Sequence, residues 1–204
     1  IVLSNPCRAY LATENPDVVK IAVSAHAFGH SDFFKNNVHL ASLDRSFFES
    51  LAIHRDCLED MVAQHGLDKV EKTLDAALSL KNHIDILGYI YQHGLSLANW
   101  QKSIIGMVIK EREFFLTLRE TRIINEGWAT YWHSKIRELF VKKGQALLEF
   151  TKFQSGLLAA DAFQINPYLI GSRIFNNIFE RFGQDKAFAV RKYDNDSSFL
   201  QTYL

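Results

Sequence analysis

The spacing of apolar side chains predicts a chain that is helical over most of its length. From Asp17 to about Phe34, apolar residues recur at the intervals that place them on one face of a helix. The same pattern predicts helices over residues 42–64, 70–82, 99–115, 121–141, 145–160 and 168–182. Gly66 and Gly183 are expected to end two of them, because glycine tolerates the backbone conformation of a helix C-terminus.

Two shorter stretches depart from this pattern. Residues 1–12, IVLSNPCRAYLA, predict a β-hairpin, because Asn5-Pro6 favours a turn and the residues after it partly alternate. Around Asp85 one helical pattern runs into the next with little turn chemistry. The fold class expected is therefore mainly α (α+β), a helical domain with a small β-hairpin near the N-terminus.

The first predicted helix has an unusually small apolar face. Two of the five residues on that face are alanines. The five are Val18, Ile21, Ala22, Ala25 and Phe28. A face built from small side chains lets the backbone of a second helix approach closely. We therefore expect this helix to pack tightly against a neighbour.

The composition argues against a nucleic-acid-binding protein and against a membrane-spanning protein. The 204 residues are 48% hydrophobic and carry 23 basic and 23 acidic side chains, so the excess of positive charge expected of a nucleic-acid-binding protein is missing. No apolar run approaches the roughly 20 residues of a membrane-spanning helix. Cys7 and Cys57 do not form a disulfide framework, and no signal-peptide pattern is visible, which together favour a reducing, cytoplasmic location. The chain lacks an initiator Met and is expected to begin within a longer protein.

Two histidines stand four residues apart in VSAHAFGHSDFFKNN. His26 and His30 would share one face of a helix. Zinc metalloproteases use this spacing in the motif His-Glu-x-x-His, but Ala27 stands here at the position of that glutamate. The pair alone fits either metal ligands or ordinary surface or core histidines.

A second motif, NEGWATYWH, supplies a carboxylate. Glu126 and His133 are seven residues apart, hence on one helix face but roughly 10 Å apart along the axis. One ion is not expected to take both, so Glu126 is predicted as the third ligand beside His26 and His30. His133 is predicted to contact a ligand or the substrate. Three protein ligands leave a fourth position open, as in catalytic zinc sites, although iron, manganese or nickel would also accept these ligands.

Other residues are candidates for catalysis or substrate binding. The candidate catalytic groups are His133 and Asp32, either of which could replace the missing base, and Tyr131, which could donate a hydrogen bond to an oxyanion. The candidate substrate-binding residues are Asn36, Asn37, Asn125 and Trp128. Each has an ordinary structural alternative. Asp32 fits a residue at a helix end, Tyr131 fits a packed aromatic, and Asn36 and Asn37 fit a helix terminus. Asn166-Pro167 predicts a tight turn that orients the helix after it.

The motifs together carry a resemblance. NEGWATYWH, AHAFGHSDFFKNN and INPYLIG, in this order, resemble the stage V sporulation protein R family, SpoVR, and SNPCRAYL and AVRKYDNDSSFLQTYL extend the similarity over the whole chain. The resemblance implies a single domain over residues 1–204, with a charged linker omitted near 84–86 and a loop omitted near 184–185. It also implies a bacterial protein linked to formation of the spore cortex, which is peptidoglycan. Some members occur in bacteria that form no spores.

A more distant similarity bears on mechanism. NEGWATYW is similar to the NEGFA motif of gluzincin aminopeptidases, which implies zincin-like helices with Glu126 as the third zinc ligand. The general-base glutamate is replaced by Ala27, a loss that typically costs roughly 10²–10⁴-fold in rate. Two functions stay open: a zinc-dependent hydrolase of a peptide or peptidoglycan-like amide, and a metal-stabilised pseudoenzyme that binds and regulates a partner protein. A di-metal carboxylate bundle is less favoured, because the chain lacks paired Glu-x-x-His motifs.

Overall fold

The chain forms a set of packed α-helices. The computed structural model describes residues 8–41, 43–44, 46–140, 144–160 and 164–204. These described residues form ten helices: α1 (Asp17–Asn36), α2 (Val38–Ala41), α3 (Phe47–His65), α4 (Leu67–Ser79), α5 (Ile84–His93), α6 (Asn99–Glu120), α7 (Arg122–Phe140), α8 (Gln145–Leu157), α9 (Pro167–Tyr193) and α10 (Asp196–Tyr203). The prediction of a mainly helical protein is confirmed. None of the helices in the described ranges is long and apolar enough to cross a membrane.

The predicted β-hairpin is not supported. Residues 1–7 of that hairpin, including Cys7, lie outside the described residues. In the described remainder, residues 8–12, Arg8 is an isolated β-bridge residue and no strand forms. The part of the chain that the structure describes therefore contains no sheet. Cys57 is a free thiol.

The helix predicted over residues 42–64 has different bounds in the structure. The short helix α2 ends at Ala41, and α3 begins only at Phe47. Asn37 separates α1 from α2, because its backbone is extended and its side-chain Oδ1 accepts a hydrogen bond from the backbone N–H of His39. The predicted end at Gly66 is confirmed, with φ at 88° directly after α3.

Two further regions were harder to predict. The stretch around Asp85 forms α5, with the apolar residue Leu87 buried. Gly183 has φ 81° and ψ −179°, so it interrupts the helical backbone as predicted. The helix predicted over residues 168–182 therefore ends at Gly183 as expected, and the part of α9 after Gly183 is a second helical segment that follows directly.

The contacts divide the chain into two compact units. Unit 2 comprises Asp44–Thr117, where Phe47 stacks on Phe114 with ring centroids 3.8 Å apart and a small core surrounds Leu87. Unit 1 comprises Ile1–Leu43 and Leu118–Leu204. Its core is formed by residues of α1, α2, α7, α9 and α10: Phe33, Leu40, Ile124, Trp128, Tyr131, Ile174, Phe175, Ile178, Ala187, Val190 and Phe199. This division concerns packing, and the single family domain over residues 1–204 stays a prediction.

Small residues bring three helices of unit 1 into close contact. A Cβ atom on Gly29 of α1 would lie 2.6 Å from the Cα atom of Ala129 on α7. A Cβ atom on Gly171 of α9 would lie 2.6 Å from the Cα atom of Gly127 on α7. The expectation that α1 packs tightly through small residues is confirmed, and Val18, Ala22 and Ala25 of the predicted face are buried. Ile21 and Phe28 of that face are exposed, so the prediction was wrong for these two residues.

The start of α7 is fixed by a residue from far along the chain. The carboxylate of Asp196, in the first turn of α10, accepts hydrogen bonds from the backbone N–H groups of Ile123 (2.9 Å) and Ile124 (2.8 Å). The first N–H groups of a helix have no partner within the helix, so this carboxylate satisfies two of them. It also places negative charge at the positive end of the helix dipole.

Candidate metal centre

Two helices bring the predicted ligands together. His26 and His30 lie one turn apart on α1, and Glu126 faces them from α7, across the contact of Gly29 with Ala129. The Nε2 atoms of the two histidines are 3.0 Å apart. Oε2 of Glu126 lies 3.4 Å from Nε2 of His26 and 3.3 Å from Nε2 of His30. Among the described residues, these three form a group whose ligand atoms could hold a metal ion.

The three separations fit the geometry of a tetrahedral ion. Zinc binds imidazole nitrogen and carboxylate oxygen at about 2.0–2.1 Å, so two ligand atoms at tetrahedral angles stand roughly 3.3 Å apart. The observed separations of 3.0, 3.3 and 3.4 Å are close to three edges of such a tetrahedron. Oε2 of Glu126 is also buried without a well-formed hydrogen bond. The residues present therefore suit a divalent ion in size and in chemistry.

The second nitrogen of each histidine has a partner of its own. Nδ1 of His30 lies 2.9 Å from Oδ1 of Asn125, the residue before Glu126. Nδ1 of His26 lies 3.2 Å from Nδ1 of His133. A hydrogen bond from Nδ1 leaves the lone pair of Nε2 available, which is the usual arrangement of metal-binding histidines.

Glu126 and His26 change one another's pKa values. Burial raises the pKa of Glu126, but the nearby imidazoles of His26 and His30 outweigh that effect and lower the pKa to about 2. Burial lowers the pKa of His26, against an opposing effect of Glu126. The carboxylate is thus ionised and His26 is biased toward the neutral form, and these are the protonation states that metal ligands require.

Tyr168 joins this site, although the sequence did not single it out as a functional residue. Its ring lies 5.9 Å from the ring of His26, measured between the ring centroids. Burial, and then the charge of Glu126, raise the pKa of the Tyr168 hydroxyl. Asn166 caps α9 by accepting a hydrogen bond from the N–H of Leu169, which positions this first turn. The motif INPYLIG was the available signal, because it contains Tyr168 and the predicted turn.

Two candidate catalytic residues are buried. His133 is only 1% exposed and lies behind His26, between His26 and the rings of Phe150 and Phe153. Tyr131 is buried in the core and stacks on Phe179, with centroids 4.1 Å apart. Direct contact of either with a substrate stays a prediction.

The other predicted site residues make structural contacts. The carboxylate of Asp32 accepts hydrogen bonds from Nε1 of the buried Trp128 and from the amide of Asn36. The amide of Asn37 is buried and donates to the backbone carbonyls of Arg191 and Asp194. Of the residues predicted to bind substrate, Asn125 contacts a histidine of the candidate metal-binding group, through its Oδ1 and Nδ1 of His30. Substrate binding by Asn36, Asn37 and Trp128 stays a prediction.

Comparison with known proteins identifies the family. The family profile described as "SpoVR like protein" matches residues 1–87 and 84–204, which together span the chain. The chain belongs to the SpoVR-like family. The two matched segments meet at residues 84–87, next to the predicted omitted linker, which itself stays a prediction.

A curated relative agrees with this assignment. The chain is 25% identical to "Uncharacterized protein YcgB" of Escherichia coli (strain K12), in an alignment that covers 87% of the chain and 49% of the relative. The chain thus spans about half the length of this relative. The aligned region extends over 249 positions, more than the 204 residues of the chain, so the relative contains residues that have no counterpart here. No solved structure matches the chain.

Proposed function

We propose that this SpoVR-like chain binds one divalent metal ion, zinc being the best suited, through His26, His30 and Glu126. The observation that carries this proposal is the set of three ligand separations, 3.0, 3.3 and 3.4 Å, which suit three corners of a zinc tetrahedron. The partners of the two Nδ1 atoms support it, because they direct both Nε2 lone pairs to one point.

We further propose that the site hydrolyses an amide bond in a peptide or in peptidoglycan-like material. Three protein ligands leave one coordination position open, whereas purely structural zinc sites are usually closed by four. A divalent ion in such a site acts as a Lewis acid toward a carbonyl oxygen and lowers the pKa of water. The resemblance to SpoVR implies a link to the spore cortex, which supports peptidoglycan as the substrate class. The similarity of the motif around Glu126 to that of gluzincins supports amide hydrolysis.

The residues of the chain have separable roles in this proposal. Glu126 supplies the negative charge of the ligand set, and Asn125 orients His30. Tyr168 places a phenol hydroxyl beside Glu126, at the edge of the ligand group, where it could donate a hydrogen bond to a developing oxyanion. Trp128 and Asp32 hold α7 against α1 through the bond from Nε1 to the carboxylate.

One observation favours the alternative function, a metal-stabilised pseudoenzyme that regulates a partner protein. Ala27 occupies the position of the gluzincin general base and is itself buried, at 9% exposure. No second carboxylate joins His26, His30 and Glu126 in the metal-binding group found among the described residues. A regulatory role, a cytoplasmic location and a part in sporulation all stay proposals.

An assay of amide hydrolysis separates the two functions. The zinc-loaded chain would be incubated with purified peptidoglycan and with a mixed peptide library, and newly formed amino groups would be quantified. Glu126→Gln should abolish release, because it removes the anionic ligand. His54→Ala is the matched control, because His54 also pairs with a glutamate, Glu111 at 2.8 Å, but belongs to unit 2.

The outcomes have distinct meanings. Release by the wild type and by His54→Ala, but not by Glu126→Gln, supports the hydrolase. Metal binding without release from either substrate overturns the proposed hydrolysis of these substrates and favours the regulatory alternative. Equal release by wild type and Glu126→Gln would show that the activity does not belong to this site.

A further inference from the structure

The contact between His26 and His133 joins two nitrogens of the same type. Nδ1 of His26 lies 3.2 Å from Nδ1 of His133. Each neutral imidazole has one N–H donor and one acceptor nitrogen, so only one of the two rings can donate in this contact. Which ring donates decides where the proton lies on the other nitrogen of each ring.

The position of His26 in the ligand group decides between the two arrangements. Its Nε2 atom faces Nε2 of His30 and Oε2 of Glu126, at 3.0 and 3.4 Å. A metal ligand must present a lone pair, so His26 must carry its proton on Nδ1. His26 then donates to His133, which accepts at Nδ1 and carries its own proton on Nε2.

The surroundings hold the ring of His133 in place. His133 is 1% exposed, and its ring lies at an edge-to-face angle to Phe150, with centroids 6.0 Å apart, and near Phe153 at 6.5 Å. Both phenylalanines belong to α8, which packs on α1. A close-packed ring of this kind cannot turn without displacing its neighbours.

We infer that His133 is a positioning residue that fixes His26 in the Nδ1–H tautomer and so presents its Nε2 lone pair to the metal site. This inference rests on the proposed metal site but not on hydrolysis. It assigns His133 a role through His26 rather than a contact with substrate. Because the acceptor is a neutral imidazole and not a carboxylate, this partner adds no negative charge to the site.

Two substitutions distinguish this role from simple packing. His133→Asn keeps an acceptor near the position of Nδ1, whereas His133→Leu fills a similar volume without one. Affinity for Co²⁺ and Zn²⁺ would be titrated by absorption spectroscopy on the full chain. We expect His133→Asn to remain within about threefold of the wild type. We expect His133→Leu to weaken binding roughly 10–100-fold, the usual effect of losing such a partner.

A measurement on the wild type keeps the inference testable if a variant folds poorly. Nitrogen-15 NMR of the imidazole rings reports the tautomer of each histidine. We expect His133 as the neutral Nε2–H tautomer and, in the zinc-loaded chain, His26 as the Nδ1–H tautomer. The inference is overturned if His133 carries its proton on Nδ1, or if His133→Leu and His133→Asn bind Co²⁺ equally well.

Discussion

Gly127 on α7 lies directly against Gly171 on α9. A Cβ atom on Gly127 would lie 2.4 Å from the carbonyl carbon of Gly171 and 2.7 Å from its carbonyl oxygen. Glu126 precedes Gly127, and Tyr168 lies one helical turn before Gly171. The contact of the two glycines therefore sets how closely the hydroxyl of Tyr168 approaches the carboxylate of Glu126.

Adding one methyl group at this contact should destabilise unit 1. We expect Gly127→Ala to lower the free energy of unfolding by about 2–3 kcal/mol, because the new Cβ meets backbone atoms that cannot move aside cheaply. Urea denaturation measures the effect. Gly156→Ala is the matched control, because Gly156 lies in α8 with no atom within 4 Å of its Cβ position. It should be neutral or stabilising by up to about 1 kcal/mol, and a Gly127→Ala variant as stable as this control would contradict the account.

Removing the hydroxyl of Tyr168 should separate metal binding from turnover. We expect Tyr168→Phe to keep its metal but to lose roughly 10²-fold in hydrolysis rate, because it removes one donor at the reacting centre. Metal content and rate of amide release would be measured on the same preparation. If the donor were Tyr131 instead, Tyr131→Phe would show this loss and Tyr168→Phe would not.

The carboxylate that caps α7 should contribute to stability. Asp196→Ala leaves the N–H groups of Ile123 and Ile124 without their acceptor, so we expect a loss of about 1–2 kcal/mol in unfolding free energy. Asp68→Ala serves as a comparison, because Asp68 also lies in a first helical turn but makes only an exposed pair with Lys72. That change should cost less than about 0.5 kcal/mol. Equal effects of the two changes would refute the capping role.

The loaded site should attract small anions. A divalent ion held by two neutral histidines and the single carboxylate of Glu126 keeps one net positive charge, and neither Asn125 nor a neutral His133 cancels it. We expect azide to change the visible spectrum of the Co²⁺-loaded chain, whereas a neutral ligand of similar size, such as acetonitrile, should change it much less. No spectral change with azide at millimolar concentration would show that the fourth position is closed.

The candidate metal-binding group could be predicted from sequence because the spacing of its residues is local and regular. His26 and His30 share a helix face by periodicity alone, and the motif around Glu126 signals a second helix with a carboxylate. The estimate that Glu126 and His133 stand too far apart for one ion also agrees with the structure, where His133 contacts His26 instead. These conclusions need only the geometry of a single helix.

Contacts between different helices could not be predicted from the spacing of residues along the chain. Gly127 of α7 and Gly171 of α9 meet near Glu126 and Tyr168, and nothing in the spacing along the chain specifies which helices cross. Asp196 caps a helix that begins more than 70 residues earlier, and no local pattern at the start of α7 indicates so distant a partner. The break at Gly183, by contrast, could be predicted because it depends on the backbone conformation of a single glycine.

The most direct measurement is the metal content of the purified chain by elemental mass spectrometry, with Glu126→Ala, His26→Ala and the control His54→Ala prepared in parallel. The account predicts about one zinc or other divalent ion per chain in the wild type and in His54→Ala, and its loss in the two ligand variants. A wild-type chain that binds no divalent ion even after incubation with excess zinc would contradict it. In that case His26, His30 and Glu126 form a partly buried polar network without a metal.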